Sequence, residues 1–524
     1  MSSKSAKPAP PVAPVRPFAV IDVGTSAIRM ALADLPPGGG VKHLETLSQP
    51  TDIGRDTFTR GAIARATIEQ CVDILRRYRK VMAEHDITEP SRFRAVATSA
   101  VREATNRDAF LDRLYMATGI QVDLIDDAET TRLTYMSVLP HFEKERGLKN
   151  ARTLVAEVGG GNTELLVMRG TNLLHSRLQR LGSLRLHELA ETSRFPGRNA
   201  AERLDPHVRR AIEDLKPALD PLRCETMLAL GGDARFAATH LLGEWDQERP
   251  ARLSVKALAE FTHQILALSS DDLVREYHLT YADSETLGPA LLILTRLAQA
   301  FRFKTLLVSG RTMRDGLLRD AAGGGVWSSD FVGLVEESVL QVGRKYQFDE
   351  PHALEVADMT DQLFAALLRE HNLTAHYGTL LRAAALLHEI GGFVSSRSHH
   401  KHSYYLIRNS DIFGLGQRDL AIVALVARYH RRSPPRSTHP EYMALTREDR
   451  LVVGQLAAIL RVGDALARGT RHRLRKIDCR REPDRFVVGI PGGGDIAMEQ
   501  FALRQKGGLF EDVYGIPAVL EKSG

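Results

Sequence analysis

The sequence predicts an α/β protein that contains two copies of one strand–turn–strand unit and continues into a separate helical domain. The segment Phe18–Asp34 is apolar on both sides of a Gly-Thr-Ser turn, which is typical of a β-hairpin. Leu154–Met168 repeats this pattern at a constant offset of 135 residues, which indicates a duplicated architecture. Beyond residue 325, long stretches with a helical apolar period replace the alternation of strands and helices.

The segments around the second hairpin continue the alternation of helices and strands. Ala62–Glu84 has the apolar spacing of an amphipathic helix, Arg92–Thr98 reads as a strand, and Asn106–Thr118 reads as another helix. After the second hairpin, two short apolar strands run directly into glycine, at Gly231 and at Gly310. This alternation supports the α/β assignment.

The last 200 residues predict helices followed by a small β appendage. Helical periods cover Glu336–Tyr346, Pro351–Glu370 and Gly378–Ile390. Arg485–Val488 and Met498–Leu503 alternate as strands on either side of a glycine loop. The expected divisions are a disordered tail (1–17), two α/β domains (18–140 and 150–322), a helical domain (328–480) and a β appendage (481–520).

Composition excludes several classes of protein. With 43% hydrophobic and 26% charged residues, the 524-residue chain is neither disordered nor fibrous. Its three scattered cysteines exclude a disulfide framework and a thiolate zinc site, and they favour a reducing cytoplasm. No apolar run approaches the ~20 residues that span a bilayer, so no membrane partner is expected.

Charge is concentrated near the C-terminus. Residues 421–481 contain 14 Lys and Arg but only 5 Asp and Glu. Such a segment attracts a polyanion, or it is simply a solvated Arg-rich face. Aromatic RNA-binding signatures and zinc-finger spacings do not accompany it, which disfavours nucleic acid.

Four glycine turns follow apolar strands and suggest phosphate binding. Because glycine accepts unusual backbone angles and lets a ligand approach, such turns expose clustered N–H groups that bind phosphate. A single turn of this kind is more often a plain connection, but four in a duplicated frame favour function. The candidate phosphate-binding residues are Gly24, Thr25 and Ser26, then Gly159, Gly160, Gly161, Asn162 and Thr163, then Gly231 and Gly232, and finally Ser309 and Gly310.

Carboxylates accompany two of the turns. Asp22 precedes the first, and Glu157 and Glu164 flank the second. Oxygen ligands of this type suit Mg²⁺, with Mn²⁺ as an alternative, and the cation would neutralise phosphate charge. These three acids are therefore the candidate metal ligands.

Ordered motifs across residues 18–320 resemble the Ppx/GppA phosphatases, which comprise exopolyphosphatases and guanosine pentaphosphate phosphohydrolases. The six blocks are VIDVGTSAIRM, FRAVATSAVREATN, LIDDAETTRLTYMSV, LVAEVGGGNTELLV, LALGGDARFAA and LLVSGRTMRDGLL. The resemblance implies two actin-like, RNase H-like domains with the active site in the cleft between them. It also implies Mg²⁺-assisted hydrolysis of a terminal phosphoryl group by water.

The same resemblance assigns catalytic residues. Glu129 matches the first acid of the family's paired-glutamate block and would orient the attacking water. Arg94 and Arg102 would lie near the phosphate chain, where guanidinium groups suit phosphate oxygens.

The sequence also departs from the family pattern at several positions. Glu157 replaces the usual Asp before the triple glycine, Thr130 replaces the second acid of the pair, and Asp233 stands in a phosphate-binding turn. An acid in that turn needs a compensating cation. These changes leave open a protein that binds its ligand without catalysis.

The C-terminal domain resembles the HD-type helical domain of the longer family members. In working HD phosphohydrolases, residues matching His352, His388, Glu389 and Asp464 ligate metal, whereas in this family the domain looks like a binding and dimerisation unit. The resemblance therefore implies a homodimer, and the basic and histidine side chains of this domain could line a groove for a long polyanion. The candidate groove residues are His399, His400, Lys401, His402, Arg431 and Arg432.

Three functions follow from these features. The first expectation is an exopolyphosphatase that releases orthophosphate from inorganic polyphosphate. The alternatives are a guanosine pentaphosphate 5′-phosphohydrolase and a non-catalytic regulator that binds polyphosphate or a guanosine alarmone.

Overall fold

The computed structural model describes residues 16–36, 40–192, 200–323, 327, 329–431, 433–467, 476–491 and 495–523. Most of the expected tail and the candidate groove residue Arg432 lie outside these residues. The chain forms two compact units, residues 1–325 and 326–524. Within the described segments, no helix combines the length and apolarity that a membrane crossing requires.

The first sheet of the N-terminal unit has five strands in the order β3-β2-β1-β4-β5. The strands are β1 (Arg16–Val23), β2 (Ala27–Leu35), β3 (Lys42–Pro50), β4 (Phe93–Ala97) and β5 (Val122–Leu124). β2 is antiparallel to β1 and to β3, whereas β4 runs parallel to β1 and to β5. The carboxyl ends of β1 and β4 therefore meet at one edge.

The second sheet has six strands in the order β10-β11-β9-β6-β7-β8. The strands are β6 (Arg152–Val158), β7 (Thr163–Arg169), β8 (Asn172–Gln179), β9 (Thr226–Leu230), β10 (Ala251–Ser254) and β11 (Thr305–Val308). β6 is antiparallel to β7 and parallel to β9, and β9 is parallel to β11. Read from the other end, this order repeats the first sheet and adds an edge strand.

The strand register confirms the duplication that the sequence predicts. Asp22 lies opposite Arg29 in the first hairpin, and Glu157 lies opposite Glu164 in the second. Both pairs keep the offset of 135 residues, so the two hairpins share their register as well as their pattern.

Fourteen helices surround these sheets in the described part of the N-terminal unit. The expected helices near residues 62–84 and 106–118 are present, beginning at Arg65 and Arg107. The short helix that begins at Ile53 is an element that the sequence pattern does not predict. The helices are α1 (Ile53–Arg60), α2 (Arg65–Glu84), α3 (Ser99–Glu103), α4 (Arg107–Thr118), α5 (Asp127–Lys144), α6 (Arg146–Lys149), α7 (Ser183–Thr192), α8 (Ala200–Glu213), α9 (Lys216–Leu219), α10 (Gly232–Leu242), α11 (Val255–Ala267), α12 (Ser270–Tyr277), α13 (Tyr281–Ala300) and α14 (Met313–Ala322).

The C-terminal unit is mainly helical, as predicted, and ends in a small sheet of order β12-β13-β14. Its strands are β12 (Asp478–Arg481), β13 (Phe486–Pro491) and β14 (Ala518–Ser523). Its helices are α15 (Ser329–Lys345), α16 (Glu350–Ala366), α17 (Leu368–His371), α18 (Ala375–Leu387), α19 (His399–Arg408), α20 (Gln417–Arg428), α21 (Pro440–Met443), α22 (Arg447–Leu466), α23 (Ala497–Lys506) and α24 (Gly508–Tyr514).

One strand prediction in this unit is wrong. Met498–Leu503 lies inside α23 and is not a strand. Glu499 and Leu503, four residues apart, are the buried positions, whereas the apolar side chains of Met498 and Phe501 are exposed, so burial follows the spacing of a helix. Such a short run satisfies both periods, and the third strand of the sheet comes from the chain end instead.

Burial of one histidine predicts a pH-dependent loss of stability. His141 is 2% exposed, and its Nε2 lies 2.8 Å from Ser309 Oγ. Burial and the nearby Arg311 lower the pKa of His141 from 6.5 to about 4. The unfolded chain therefore binds a proton below pH 6.5 that the folded chain refuses until about pH 4, so stability falls as the pH drops through that window.

We expect His141→Gln, which keeps a polar side chain of similar reach, to flatten this dependence. Between pH 6.5 and 5, the unfolding free energy of wild type should fall by roughly 2 kcal/mol more than that of the variant. Urea unfolding at both pH values measures it. Parallel curves for the two proteins would contradict the assignment.

Candidate active site

A cavity of about 410 Å³ lies in the N-terminal unit, where central strands of both sheets end. Carboxyl ends of parallel strands commonly form ligand sites, because the connections after them converge at one edge. The lining segments that follow β1, β4, β6 and β9 include residues 24–26, 98–99, 159–162 and 231–233. Three of the four predicted glycine turns therefore line a single cavity.

Two of these turns pack directly against each other. A Cβ at Gly160 would lie 2.7 Å from Thr25 Cγ2, and a Cβ at Gly161 would lie 2.7 Å from Ser99 Oγ. Gly231 has a φ of 109°, in the region that favours glycine. The glycines are thus required by the close approach of the backbone and, at Gly231, by its conformation.

The remaining predicted phosphate-binding residues do not line the cavity. Thr163 is buried, and its hydroxyl donates to the backbone oxygen of Leu181. Ser309 is also fully buried and pairs with His141. Gly310 packs so closely against a neighbouring loop that a Cβ would come 2.2 Å from a backbone oxygen. The hydroxyl groups of Thr163 and Ser309 already have partners in the protein, and Gly310 is tightly packed. These three residues therefore stabilise the fold beside the cavity.

Three arginines that the sequence analysis missed line the cavity: Arg29, Arg235 and Arg314. Nη1 of Arg235 is buried and has no hydrogen-bond partner among the described residues. Burial, with Arg314 nearby, lowers the pKa of Arg235, and burial also lowers the pKa of Arg314. Buried cations that repel one another form a site for a multiply charged anion.

The candidate metal ligands Asp22, Glu157 and Glu164 also line the cavity. Burial raises the pKa of all three, and that of Glu164 reaches about 7. Oε1 of Glu164 is buried without a hydrogen-bond partner in the described structure. Carboxylate oxygens and an unsatisfied buried acceptor fit a hard cation such as Mg²⁺.

These three carboxylates nevertheless do not form a closed metal site by themselves. Among the described residues, the groups of three or more side chains whose ligand atoms all lie within 4.8 Å of one another are in the C-terminal unit. A cation in the N-terminal cavity would therefore need further oxygens, as Mg²⁺ commonly takes from water and substrate phosphates.

Glu129 lies in an ion-pair cluster and is not one of the residues that line the cavity. Its oxygens accept hydrogen bonds from Arg132 Nε at 2.7 Å and Nη2 at 2.8 Å, and from Arg94 Nη2 at 3.0 Å. Both arginines also donate to Asp320, at 2.8 and 2.7 Å. Arg94 and Glu129, both predicted to act on the phosphate or the water, thus neutralise each other beside α14.

Other residues of this region do face the cavity. Asp127 and Thr130, three residues apart on α5, both line it, as does Arg102. Arg102 donates to the carboxylate of Asp127 and, at 2.7 Å, to the backbone oxygen of Ile125. The side chain of Asp127 is 55% exposed, and the partial loss of solvent around it raises its pKa. The helix face that looks into the cavity therefore carries Asp127, and Thr130 stands where the family has its second acid.

One flank of the cavity combines apolar and acidic groups. Phe236, Leu279 and Leu287 line it together with Asp233 and Asp283. Burial and the nearby Asp283 raise the pKa of Asp233 to about 6. A polyanion would form no favourable contact with this flank. A flat ring that carries N–H donors could pack on the apolar side chains and donate hydrogen bonds to the carboxylates.

The candidate polyanion groove of the C-terminal unit is only partly formed by exposed groups. Lys401 and Arg431 are exposed, whereas His399, His400 and His402 are half-buried at the start of α19. Burial and Arg431 lower the pKa of His400 to about 4, so it is neutral near pH 7. The groove stays a prediction.

Two family models match the chain. The model described as the Ppx/GppA phosphatase family covers residues 38–323, and the model for domain III of these phosphatases covers residues 335–486. The matches include every cavity-lining segment except Asp22, the first turn and Arg29.

Full-length relatives share limited identity with the chain. A protein from Photobacterium profundum named guanosine-5′-triphosphate,3′-diphosphate pyrophosphatase is 22% identical over 98% of this chain and 99% of its own length. A protein of the same name from Aeromonas hydrophila is 24% identical over 91% of this chain and 92% of its own length.

A solved structure shares its fold with part of the chain. The crystal structure of an exopolyphosphatase from Cytophaga hutchinsonii aligns with 59% of this chain and 98% of its own length, with a TM-score of 0.53 and 19% identity. This likeness, with the duplicated sheets, confirms the predicted actin-like architecture.

Proposed function

This chain belongs to the Ppx/GppA phosphatase family, and we propose that it removes the terminal 5′-phosphate of guanosine pentaphosphate. The family assignment makes it a phosphoric anhydride hydrolase. The two relatives that align along nearly their whole length carry the name of the guanosine activity. This reverses the order of the two enzyme activities that the sequence alone suggests.

The observation that carries the proposal is the convergence of Arg29, Arg235 and Arg314 on the cavity. Three guanidinium groups can bind the oxygens of a triphosphate and neutralise charge on the phosphoryl group being transferred. The glycine turns at residues 24–26 and 159–162 would add backbone N–H donors.

The reaction itself is a displacement by water. The water oxygen forms a bond to the terminal phosphorus, and the bond from that phosphorus to the bridging oxygen breaks. Orthophosphate and the shortened nucleotide leave. We propose that Asp127 orients the water and accepts its proton, because it faces the cavity where Glu129 does not. Mg²⁺, when bound near Asp22, Glu157 and Glu164, would neutralise phosphate charge.

The mixed flank supports a guanosine substrate over a polyphosphate chain. Guanine presents N–H donors along one edge, and the carboxylates of Asp233 and Asp283 can accept hydrogen bonds from them. The flat ring of guanine can also pack on the ring of Phe236. Polyphosphate offers no donor and no apolar surface, and it would be repelled by these acids.

Asp233→Ala tests this specificity. We expect kcat/KM for guanosine pentaphosphate to fall roughly 10- to 100-fold, because a lost hydrogen bond in a partly buried site costs about 1–3 kcal/mol. Hydrolysis of polyphosphate should stay equal or rise. Glu276→Ala, which removes an exposed acid outside the cavity lining, is the control. An equal loss for both substrates would contradict a role for Asp233 in base recognition.

Exopolyphosphatase activity is the second candidate, favoured by the basic segment 421–481. If that segment binds a long chain, affinity should rise with chain length and fall steeply with salt. A binding-only regulator is the third candidate, suggested by Glu157, Thr130 and Asp233. The expected homodimer and cytoplasmic location stay predictions.

A further inference from the structure

Five potential metal ligands converge in the C-terminal unit. They form two groups that share Glu389, one with His352 and His388 and the other with His399 and His430. Within each group, one ligand atom from every residue lies within 4.8 Å of the others. Glu389 Oε1 lies 4.0 Å from His388 Nε2, and its Oε2 lies 3.9 Å from His352 Nε2.

The backbone fixes the orientation of the two buried rings. His388 Nδ1 lies 2.7 Å from the carbonyl oxygen of Ala385, and His430 Nδ1 lies 2.6 Å from that of Ala427. Only a protonated nitrogen donates to a carbonyl, so each neutral ring presents the lone pair of Nε2 to the cluster. Burial lowers the pKa of both rings, which keeps them neutral. Metal-binding histidines are commonly held in this way.

One of these two nitrogens has no partner in the described protein, and the other faces a third histidine. His388 Nε2 is buried and has no hydrogen-bond partner within the described residues. His430 Nε2 lies 3.2 Å from His399 Nε2, and His399 Nδ1 is 3.3 Å from the oxygen of Ser396. His399 Nε2 is thus placed to share a metal with His430 Nε2, or to donate a hydrogen bond to it when no metal is bound. Two nitrogens on one tetrahedral metal, with bonds of about 2.0–2.1 Å, are separated by about 3.3 Å.

We propose that His352, His388, Glu389, His399 and His430 bind a divalent transition metal, with Glu389 shared between the two groups. Imidazole nitrogens with a carboxylate favour Zn²⁺ or Fe²⁺ over Mg²⁺ and Ca²⁺, which prefer oxygen alone. The side chain of Glu389 is 38% exposed and that of His352 is 23% exposed, so the cluster has an entry path from solvent.

Asp464 plays a supporting part in this arrangement. It is fully buried, and its carboxylate accepts a hydrogen bond from Lys506 Nζ. Although burial alone would raise it, His388 and Lys506 hold the pKa of Asp464 well below its usual range. Its negative charge would stabilise a cation on the neighbouring rings. The resemblance to HD enzymes points to Asp464 as a ligand, whereas here His399 and His430 complete the set.

The test measures metal on the full chain after chelator treatment and dialysis. Titration calorimetry and elemental analysis with Zn²⁺ should give at least one ion per chain, and Zn²⁺ should raise the unfolding temperature. His430→Ala and Glu389→Gln should each weaken binding at least about tenfold. Glu389→Gln replaces a partly exposed side chain with one of the same shape, so it tests the site even if a histidine variant misfolds.

His402→Ala, on the same helix as His399 but outside both groups, is the matched control and should bind like wild type. Zn²⁺ binding that is absent in wild type, or that persists unchanged in both cluster variants, would overturn the proposal. The second result would place the ion elsewhere, for instance on the carboxylates of the N-terminal cavity. Because the readout is metal content, it stands apart from the proposed phosphatase activity.

Discussion

Arg235→Met is expected to lower the rate of phosphate release at least about 100-fold while leaving the fold as stable as wild type or more stable. Removing one preorganised donor from a transition state typically costs this much. The rise in stability follows from burial, because the variant removes a cation whose Nη1 has no hydrogen-bond partner among the described residues and which Arg314 repels.

Inorganic phosphate provides the matching binding measurement. Wild type should be stabilised by millimolar phosphate, since an anion relieves the repulsion among the guanidinium groups, and Arg235→Met should respond much less. Arg319→Met, which removes a half-buried arginine outside the cavity lining, controls for the general loss of positive charge. A variant that is destabilised but fully active would show that Arg235 serves the fold only.

Asp127→Asn and Glu129→Gln should separate chemistry from stability. We expect Asp127→Asn to reduce turnover by roughly 10²- to 10⁴-fold, the usual contribution of a positioned base, with little change in unfolding free energy. Glu129→Gln should instead cost about 1–3 kcal/mol of stability, because Arg132, only 4% exposed, would lose the carboxylate that accepts hydrogen bonds from its Nε and Nη2.

Steady-state kinetics and urea unfolding on both variants measure the two effects. Thr130→Ala, at the neighbouring cavity position on α5, controls for disturbance of the helix face. If Glu129→Gln abolishes turnover without loss of stability and Asp127→Asn stays active, the sequence-based assignment of Glu129 as the base is correct and the one given to Asp127 is wrong.

The duplicated fold was predictable because the signal is repeated. Asp22 and Glu157 end equivalent strands, and the fixed offset requires both hairpins to share one register. The glycine turns were predictable because they recur after equivalent strands. The structure gives the physical reason for one of these glycines, since Thr25 approaches Gly160 so closely that no side chain fits there.

The direction of individual side chains was harder to predict. Glu129 and Thr130 are neighbours in sequence, yet one turns into an arginine cluster and the other into the cavity, because successive residues of a helix point about 100° apart. Ser309 lies in a turn that the sequence predicts to bind phosphate, but its hydroxyl forms a hydrogen bond with His141, which is distant in sequence.

The missed arginines had a signal in the sequence. Arg29 occupies the position that corresponds to Glu164 in the repeat, so the two hairpins place opposite charges at equivalent sites. Arg235 and Arg314 lie in blocks already assigned to the family. What the sequence could not show is that all three converge on one cavity, because that depends on how the two sheets pack.

Orthophosphate release from guanosine pentaphosphate labelled at its terminal 5′-phosphate tests the central claim most directly, with long-chain polyphosphate compared at equal concentrations of terminal phosphate. We predict labelled orthophosphate from the nucleotide, with a higher kcat/KM than for polyphosphate and with loss of release in Arg235→Met. Faster release from polyphosphate, or no release from the nucleotide by the folded wild-type protein, would contradict the proposed function.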